Sequence, residues 1–440
     1  MESLILIKQN SVNYPYDFWD EINIELAEMK NNQLKIRLIA FAVGLGLMIE
    51  TTVGQSLKTP AINKQQHNYD VAAFVWPSYH PDDRAKIFWP EGIGEWQTIR
   101  SNEPKFEGHE QPRYPLWGYI NEADPYVAEM EINAAADHGI NVFIFDWYWY
   151  DGMPFLEGHL NDGYLQARNN DRVKFYLMWA NHDVDMSWDK RNAGKPNDAV
   201  LWKGAVDRDE FEVICHRVIE KYFSHPSYYT IEGNPSFMIY DLNALIKGMG
   251  GVKETKEALQ WFREETVKAG FKGLDLQLTL RRRGMNVTFI DGDQVGSQKE
   301  VIEQLGFDGV THYQFVHFTN INGDYMEIMD VVEKEWNMID EEYDVPYYAH
   351  VSVGWDNNPR FEMFRPGVVN NNTPENFEKA LRKAKEYADA RPCQVPLITV
   401  NSWNEWTETS YLQPCTMYGY GYLKAVRKVF LKAAEGGYKK

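Results

Sequence analysis

Cysteine is scarce in this chain of 440 residues, which contains three: Cys215, Cys393 and Cys415. Thiols so far apart in the sequence provide neither a disulfide framework nor the paired spacing of a zinc site. We expect all three to be small buried hydrophobic side chains. A fold held together by disulfides or by a structural zinc ion is therefore disfavoured.

Positive charge is also deficient, since 45 Lys and Arg face 64 Asp and Glu and the net charge is -19. A nucleic-acid partner is therefore not expected, because such proteins present a basic face. The sequence lacks a GxSxG elbow, an HExxH pair, a P-loop and a dinucleotide-binding glycine motif. We expect no cofactor and no metal, although composition alone leaves a metal site among Asp146, His182 and Asp183 open.

Long apolar runs are rare, and the one near the N-terminus has the features of a signal peptide. Residues 29–54 begin with a methionine, continue through Lys30, Lys35 and Arg37, and contain the apolar stretch LIAFAVGLGLMI. That stretch is short for a membrane-spanning helix. An uncleaved anchor and a buried apolar helix are the alternatives.

This interpretation divides the chain into four parts and places the mature protein in the periplasm or at the cell surface. Residues 1–28 are then an extension from a misassigned upstream start, 29–54 the signal peptide, 55–68 an N-terminal linker and 69–436 the catalytic domain. No membrane span is expected after cleavage. The sequence does not indicate an oligomeric state.

Apolar β-rich runs alternate with amphipathic helical patterns through the rest of the chain, which predicts a (β/α)8 TIM barrel in a single domain. A long loop insertion, 77–124, follows the first strand. The predicted strands are 69–76, 140–147, 173–180, 236–241, 272–280, 308–314, 347–353 and 396–402. The predicted helices are 125–138, 207–223, 253–269, 297–305, 325–342, 373–390 and 417–435.

The ends of these strands are rich in groups that bind sugars. Active sites of TIM barrels lie at the carboxyl ends of the strands. Aromatic faces pack on the apolar face of a pyranose, and carboxylates, amides, imidazoles and phenols bond its hydroxyls. We predict the following substrate-binding residues: Tyr79, His80, Glu95, Trp96, Asp146, Trp147, Trp149, Asn181, His182, Asp183, Tyr240, His312, Tyr313, Trp355, Asp356, Trp403, Asn404 and Trp406.

The stretch NSWNEWTETSYLQP after the last strand places Glu405 and Glu408 three residues apart. Cleavage of a glycosidic bond needs a proton for the leaving oxygen and a second carboxyl group to assist the reaction centre. Glu405 and Glu408 are the candidate catalytic pair, and we expect Trp403 and Trp406 to form the walls of the sugar pocket.

Five segments in this order resemble the WbsX family, which is described as glycosyltransferase and is related to the family 99 glycoside hydrolases: GEWQTIRSNEPKFEGHEQP, LWGYINEADP, GINVFIFDWYWYDG, MWANHD and NSWNEWTETSYLQP. The resemblance implies a (β/α)8 barrel. It also implies that Glu405 is a base assisting attack by the substrate's own 2-hydroxyl, and that Glu408 is the general acid/base. Thr407, Thr409 and Gln413 depart from the family pattern, which commonly has His, Gly and Glu there. The identity of the sugar is left open.

Three functions from different classes follow. The favoured one is an exported retaining glycoside hydrolase that acts within an oligo- or polysaccharide chain. The second is a WbsX-type glycosyltransferase in the synthesis of surface polysaccharide such as O-antigen. The third is a carbohydrate-binding barrel without catalysis. The run Arg281–Arg283 either grips a uronate or sulfate group of the substrate or forms a solvated surface.

Overall fold

The computed structural model describes residues 68–193, 200–288 and 294–431. The predicted extension, signal peptide and linker therefore lie outside the described residues, apart from the last linker residue. Within the described residues, no helix is long and apolar enough to cross a membrane.

Eight parallel strands form the barrel that the sequence predicts. They are β1 (Asp70–Val75), β2 (Val142–Tyr150), β3 (Lys174–Trp179), β4 (Asn234–Ile239), β5 (Asp275–Leu280), β6 (Gly309–His312), β7 (His350–Ser352) and β8 (Leu397–Asn401). Their order in the sheet is β6-β5-β4-β3-β2-β1-β8-β7. A parallel bridge between Val310 and Tyr347 joins the two ends. The (β/α)8 prediction is confirmed.

Helices alternate with these strands and cover the outside of the barrel. They are α1 (Trp96–Arg100), α2 (Pro125–Asp137), α3 (Arg208–Val218), α4 (Leu242–Met249), α5 (Val252–Lys268), α6 (Gln298–Leu305), α7 (Tyr325–Glu342), α8 (Pro374–Asp389) and α9 (Gly421–Phe430). Their starts follow local chemistry: the Asp124 side chain accepts from Tyr126 N ahead of Pro125, and Ser297 and Glu300 form a capping box.

Short accessory strands extend the sheet or pair within the loops. They are Met153–Phe155, Val184–Asp185, Val200–Trp202, Thr230–Ile231, Asn286–Thr288, Gln294–Ser297, Gly323–Asp324, Val369–Asn370, Asn404–Glu405 and Ser410–Tyr411. The insertion after β1 packs on the loop that follows β8, because Leu116 N donates to Pro414 O and Thr416 N donates to Tyr114 O. The insertion therefore lies against the carboxyl end of β8.

The inside of the barrel is polar for a fold of this type. Thr399 Oγ1 lies 2.8 Å from Thr311 Oγ1 and 3.0 Å from His350 Nδ1, and Tyr176 OH donates to Gln277 Oε1 at 3.1 Å. Each of these buried polar groups has a partner, which removes most of the cost of burying it.

Two of the three cysteines are buried as expected, Cys215 and Cys415. Cys393 is exposed, so the expectation of burial is wrong for that residue. It lies in the short turn at residues 392–394 between α8 and β8, which leaves its side chain outside the packed layers.

Candidate active site

The chain that follows β8 forms a tight hairpin that carries both glutamates. Asn404–Glu405 pairs antiparallel with Ser410–Tyr411, so Glu408 lies in the connecting turn. Thr409 closes the turn with φ of 54°, a left-handed conformation that glycine adopts more readily. Its hydroxyl is fixed between Gln111 Nε2 and Asp356 O. The hairpin therefore holds the two carboxyl groups on one short rigid segment.

Glu405 and Glu408 are both buried and share one cation, Arg360. Arg360 Nη1 donates to Glu408 Oε1 at 2.6 Å, and its Nη2 lies 3.9 Å from Glu405 Oε1. The charge of Glu408 also acts on Glu405. Arg360 is itself largely buried, with 22% of its side chain exposed, so little solvent screens this cluster.

A third carboxylate, Glu95 from the insertion, holds Arg360 in place. Arg360 Nε donates to Glu95 Oε1 at 3.2 Å, and the second oxygen of Glu95 accepts from Trp76 Nε1 at 2.6 Å and from Ser78 Oγ at 3.2 Å. The guanidinium lies 5.7 Å from the Trp76 ring. Glu95, one of the predicted substrate-binding residues, therefore lies next to the catalytic candidates, and its carboxylate orients the cation between them.

Burial raises the pKa of Glu405 well above its usual value, and the neighbouring Glu408 charge adds to this effect. Arg360 opposes the shift but does not cancel it. Two neighbouring carboxyl groups in one buried site disfavour ionisation of both. Burial and the neighbouring charge therefore favour the protonated form of Glu405.

Asp146, in the middle of β2, faces this pair. Tyr313 OH donates to Asp146 Oδ2 at 2.8 Å. Burial raises the pKa of Asp146 well above its ordinary value, the Tyr313 hydrogen bond lowers it and the Glu408 charge raises it. Within the described part of the chain, Asp146 Oδ1, Glu405 Oε2 and Glu408 Oε2 are buried without a hydrogen-bond partner. Buried oxygens in this state are acceptors for the hydroxyl groups of a ligand.

A second ionic cluster lies beneath the hairpin. His159 Nδ1 is 3.1 Å from Glu122 Oε2, and His159 Nε2 is 3.4 Å from Glu131 Oε2. Although burial lowers the pKa of His159, the two carboxylates raise it to about 10, so the ring is an imidazolium. Asn404 Nδ2 donates to both oxygens of Glu122, and Gln413 Nε2 donates to Glu122 and Glu131. This cluster fixes the base of the hairpin.

The two tryptophans of the hairpin are fully buried. Trp403 Nε1 donates to Glu131 Oε1 at 3.0 Å, and Trp406 Nε1 donates to Gln413 Oε1 at 2.6 Å. Trp406 stacks on Tyr411 with 3.8 Å between ring centroids. Both indoles therefore support the loop from below, a position different from the expected pocket walls.

Alternation along the strands separates the predicted residues of β2 and β6. Asp146 and Tyr148 point into the barrel, whereas Trp147 and Trp149 bond Glu157 and Glu210 on the helical side. His312 also lies outside, stacked on Phe318 and bonded through Nδ1 to Tyr347 OH. The structure therefore does not bring Trp147, Trp149 and His312 to the carboxylate pair.

Several other predicted residues hold the loops together. Asn181 bonds both the N and the O of Asp241, Asp183 accepts from Gly204 N, and Asp356 accepts from His109, Gln111 and Asn358. The remaining buried members are Tyr79, whose hydroxyl accepts from Trp406 N; His80, bonded to Pro81 O; and Trp96, bonded to Ile120 O. His182, Tyr240 and Trp355 are half-buried.

The residues that sequence reasoning missed are Arg360, Trp76, Tyr148 and His317. Trp76 and Tyr148 lie at the same strand ends as predicted residues and could have been included on position alone. Arg360 follows β7 by eight residues, inside GWDNNPR. That segment carried no charge pattern that marked this arginine as a partner of Glu408. Among the described residues, no group of three or more His, Cys, Asp or Glu is arranged to hold a metal ion.

Solved structures of similar fold include glycoside hydrolases. A protein described as glycoside hydrolase-like matches with a TM-score of 0.53 and 15% identity, over 86% of this chain and 98% of that one. The family 99 endo-α-mannosidase from Bacteroides thetaiotaomicron, in complex with bis-tris-propane, matches with a TM-score of 0.51 and 12% identity, over 82% of this chain and 95% of that one. At these identities the likeness shows the fold.

Among curated proteins, the uncharacterized protein WxcX of Xanthomonas campestris pv. campestris is 23% identical over 380 residues, in both strain ATCC 33913 and strain B100. The match covers 83% of this chain and 50% of WxcX, so the chain spans about half the length of these relatives. The sequence profile of the family described as glycosyltransferase WbsX matches residues 71–426. The chain therefore belongs to the WbsX family.

Proposed function

We propose that the protein is a retaining glycoside hydrolase that cuts within an oligo- or polysaccharide chain, with Glu405 and Glu408 as its catalytic residues. One observation carries this proposal. Two buried carboxyl groups that face one guanidinium lie at the carboxyl end of a TIM barrel, and an oxygen of each has no partner within the described residues. A carboxyl pair of which one member is protonated and the other ionised supplies one acid and one base to a bound sugar.

The proposed reaction has two steps. In the first, Glu405 accepts the proton of the substrate's 2-hydroxyl, the 2-oxygen attacks the anomeric carbon, and Glu408 donates a proton to the leaving oxygen. In the second, Glu408 takes a proton from water, water attacks the anomeric carbon, and the 2-oxygen recovers its proton from Glu405. Two displacements at one carbon retain its configuration. For the first step, Glu405 must be ionised and Glu408 protonated when the sugar is bound.

The closeness of the two carboxyl groups favours a reaction that retains the configuration of the anomeric carbon. Inverting enzymes keep their two carboxyl groups about 6.5–9.5 Å apart to admit a water molecule between them and the sugar. Here one guanidinium faces both groups, since Arg360 Nη1 is 2.6 Å from Glu408 Oε1 and its Nη2 is 3.9 Å from Glu405 Oε1. This spacing fits a mechanism in which the nucleophile belongs to the substrate or the enzyme.

A transferase is the second candidate, because it is the activity in the family's description. A nucleotide-sugar donor would bring a diphosphate into the site. Glu95, Glu405 and Glu408 surround Arg360 there, and their charge disfavours a polyanion beside them. A binding protein without catalysis is the third candidate. Buried and unpartnered carboxylate oxygens are costly to keep in a protein that only binds sugars.

A polysaccharide panel tests the proposal. We expect the purified chain to shorten one member of the panel, with oligosaccharide products detected by size-exclusion chromatography. The double variant Glu405→Gln/Glu408→Gln should bind the same polymer without cutting it. The Lys428→Gln variant, on the outer helix α9, is the matched control and should cut normally. Sugar transfer from a nucleotide-sugar to a glycan, without any shortening, would instead establish the second candidate.

A further inference from the structure

Three consecutive arginines follow β5, and the structure separates them. Arg281 is half-buried, and its guanidinium carbon lies 4.4 Å from the centre of the Tyr240 ring. Arg282 is exposed. Arg283 points to α7, where its Nη1 donates to Glu342 Oε2 at 3.0 Å and its Nε lies 3.6 Å from Glu335 Oε2. Arg281 therefore differs from its two neighbours in facing Tyr240 at the end of β4.

Two neutral imidazoles lie beside the same tyrosine. His317 Nε2 is 3.5 Å from Tyr240 OH, and the His182 ring centre is 5.5 Å from that of Tyr240. Burial is the main cause that lowers the pKa of both histidines, and Arg281 lowers them further. His317 Nδ1 is buried and finds no hydrogen-bond partner in the portion of the chain described. The neutral ring of His317 offers one N–H donor next to Arg281, whereas the N–H of His182 donates to Asp183 O at 2.9 Å.

The nearest carboxylate does not saturate Arg281. Asp241 Oδ2 is 3.6 Å from Arg281 Nη2, whereas Asp241 Oδ1 accepts from Ala244 N at 2.8 Å and caps α4. A guanidinium has five N–H donors in a planar fork, and one carboxylate at this distance engages few of them. A quarter of the Arg281 side chain, 25%, is exposed. Among the residues that the structure describes, donors of this cation are therefore left for a ligand.

Tyr240 connects Arg281 to the carboxylate pair. The ring centre of Tyr240 is 5.3 Å from that of Tyr313, and Tyr313 OH donates to Asp146 beside Glu408. Burial raises the pKa of Tyr240 to about 12, Arg281 lowers it and Glu408 raises it. Tyr240 thus lies within electrostatic range of both groups. The mouth of the barrel has an acidic side at the catalytic candidates and a side with a cation and N–H donors at Arg281.

We propose that Arg281, His317 and Tyr240 form a subsite for an anionic group, a carboxylate or a sulfate ester, on a sugar unit next to the bond that is cut. The planar fork of Arg281 matches either group, and His317 supplies a further N–H. This inference rests on the proposed function and names its substrate class: an acidic glycan whose charge is held away from Glu405 and Glu408. Arg281 acts here as a specificity-determining residue.

The test is a binding experiment with the full chain carrying Glu405→Gln/Glu408→Gln, which does not depend on turnover. The probes are a uronate polysaccharide with its carboxyl-reduced form, and a sulfated polysaccharide with its desulfated form. We expect one charged probe to bind about tenfold or more tightly than its neutral counterpart by calorimetry. Adding Arg281→Gln should abolish that preference, and Arg281→Lys should restore part of it.

Arg283→Gln is the matched control, since that arginine pairs with Glu342 and Glu335 on α7. It should leave the preference intact, and thermal melts should show that all variants are folded. The inference is overturned if neither charged probe binds better than its neutral form, or if Arg281→Gln keeps the preference. Binding that depends on Arg281 without cleavage of any probe by the wild type would reject the proposed hydrolysis and leave the subsite standing. The choice between the two charged probes tells a uronate from a sulfate.

Discussion

Arg360 determines the charge balance of the candidate catalytic residues. It contacts Glu408 at 2.6 Å and Glu95 at 3.2 Å, and it is the positive group that lowers the pKa of Glu405 against burial and the Glu408 charge. Removing it would leave three buried carboxyl groups with less compensation. Such groups respond by holding protons to higher pH.

We therefore predict a shifted pH profile for Arg360→Gln. If Glu405 must be ionised to accept a proton, activity is lost as the pH falls through its pKa. Loss of Arg360 raises that pKa further, so the acidic limb of the kcat/KM profile should move to higher pH. Arg365→Gln, on the same loop with its guanidinium over the Phe361 ring, is the control and should keep the wild-type limb. An unmoved or lowered limb in Arg360→Gln would contradict the role given to Arg360.

Trp355 is the half-buried indole at the end of β7, next to the Asp356 anchor of the hairpin. We predict that Trp355→Ala lowers kcat/KM, because a sugar face loses its stacking surface. The decrease should correspond to a loss of about 1–3 kcal/mol in binding free energy. Kinetics on the cleaved glycan measure this loss, and a thermal melt checks folding. A collapse of the melting temperature with unchanged affinity per folded molecule would make Trp355 a core residue.

For single residues, the sequence predicted which residue types lie near the site better than it predicted where their side chains point. Tyr313, Glu405 and Glu408 follow strands, Asp146 lies on the inward face of β2, and Glu95 lies in the insertion, and these side chains meet at one place. Trp147 and Trp149 could not be separated from Asp146 by composition, since adjacent residues of a strand face opposite sides. Arg360 could not be found because its partners are 48 and 265 residues away in the sequence.

Among the elements, the hairpin after β8 depends on the ionic cluster beneath it. His159 is held between Glu122 and Glu131, and these carboxylates bond Asn404, Gln413 and Trp403. The chain thus supports the catalytic candidates with buried charges. Removing one partner of such a cluster leaves an uncompensated charge in the interior.

We predict that His159→Gln lowers the free energy of unfolding by about 3–5 kcal/mol at neutral pH, because Glu122 and Glu131 then face each other without a cation. Urea unfolding measures the change. The double variant His159→Gln/Glu131→Gln should recover part of the loss, since it removes one of the two charges. Equal losses in the single and double variants would contradict this explanation.

The same cluster gives a pH dependence of stability. The pKa of His159 rises from about 6.5 when unfolded to about 10 when folded. The contribution of His159 to the free energy of unfolding is therefore complete below about pH 6.5 and is lost as the pH rises through about 10. The wild-type melting temperature should fall more steeply over this window than that of His159→Gln. Parallel curves would show that His159 is not the titrating group.

Elements with strong periodicity were predictable, and short ones were not. All eight strands overlap their predicted ranges, because apolar β-rich runs bounded by glycine or polar residues fit few structures other than a strand. Two helices were missed, Trp96–Arg100 and Leu242–Met249. The first has five residues and lies inside an aromatic insertion, and the second begins within the segment YDLN, two residues after Tyr240. The side-chain cap of Asp241 begins the second helix, and Gly250, with φ of 88°, ends it.

At the scale of the whole molecule, the proposed export of the protein depends on residues outside the described structure. We predict that a chain beginning at Met29 is exported and cut near Gly54. Mass spectrometry of the mature protein measures the new N-terminus. A chain in which Leu38, Ile39 and Phe41 are replaced by Asp should stay uncut. A cytoplasmic product that retains residues 1–28 would contradict the proposed signal peptide.

The central claim is that Glu405 and Glu408 act as base and acid on a glycosidic bond, and leaving-group dependence tests it most directly. The measurement is the rate of leaving-group release by Glu405→Gln and Glu408→Gln, on the cleaved glycan and on an aryl glycoside of the same sugar with an acidic leaving group. On the natural glycan both variants should lose about 10²–10⁴ in rate. On the aryl glycoside Glu408→Gln should recover much of its first step, because little protonation is needed, and Glu405→Gln should not. Recovery in Glu405→Gln alone would reverse the two roles, and full activity of both variants on the glycan would contradict the account.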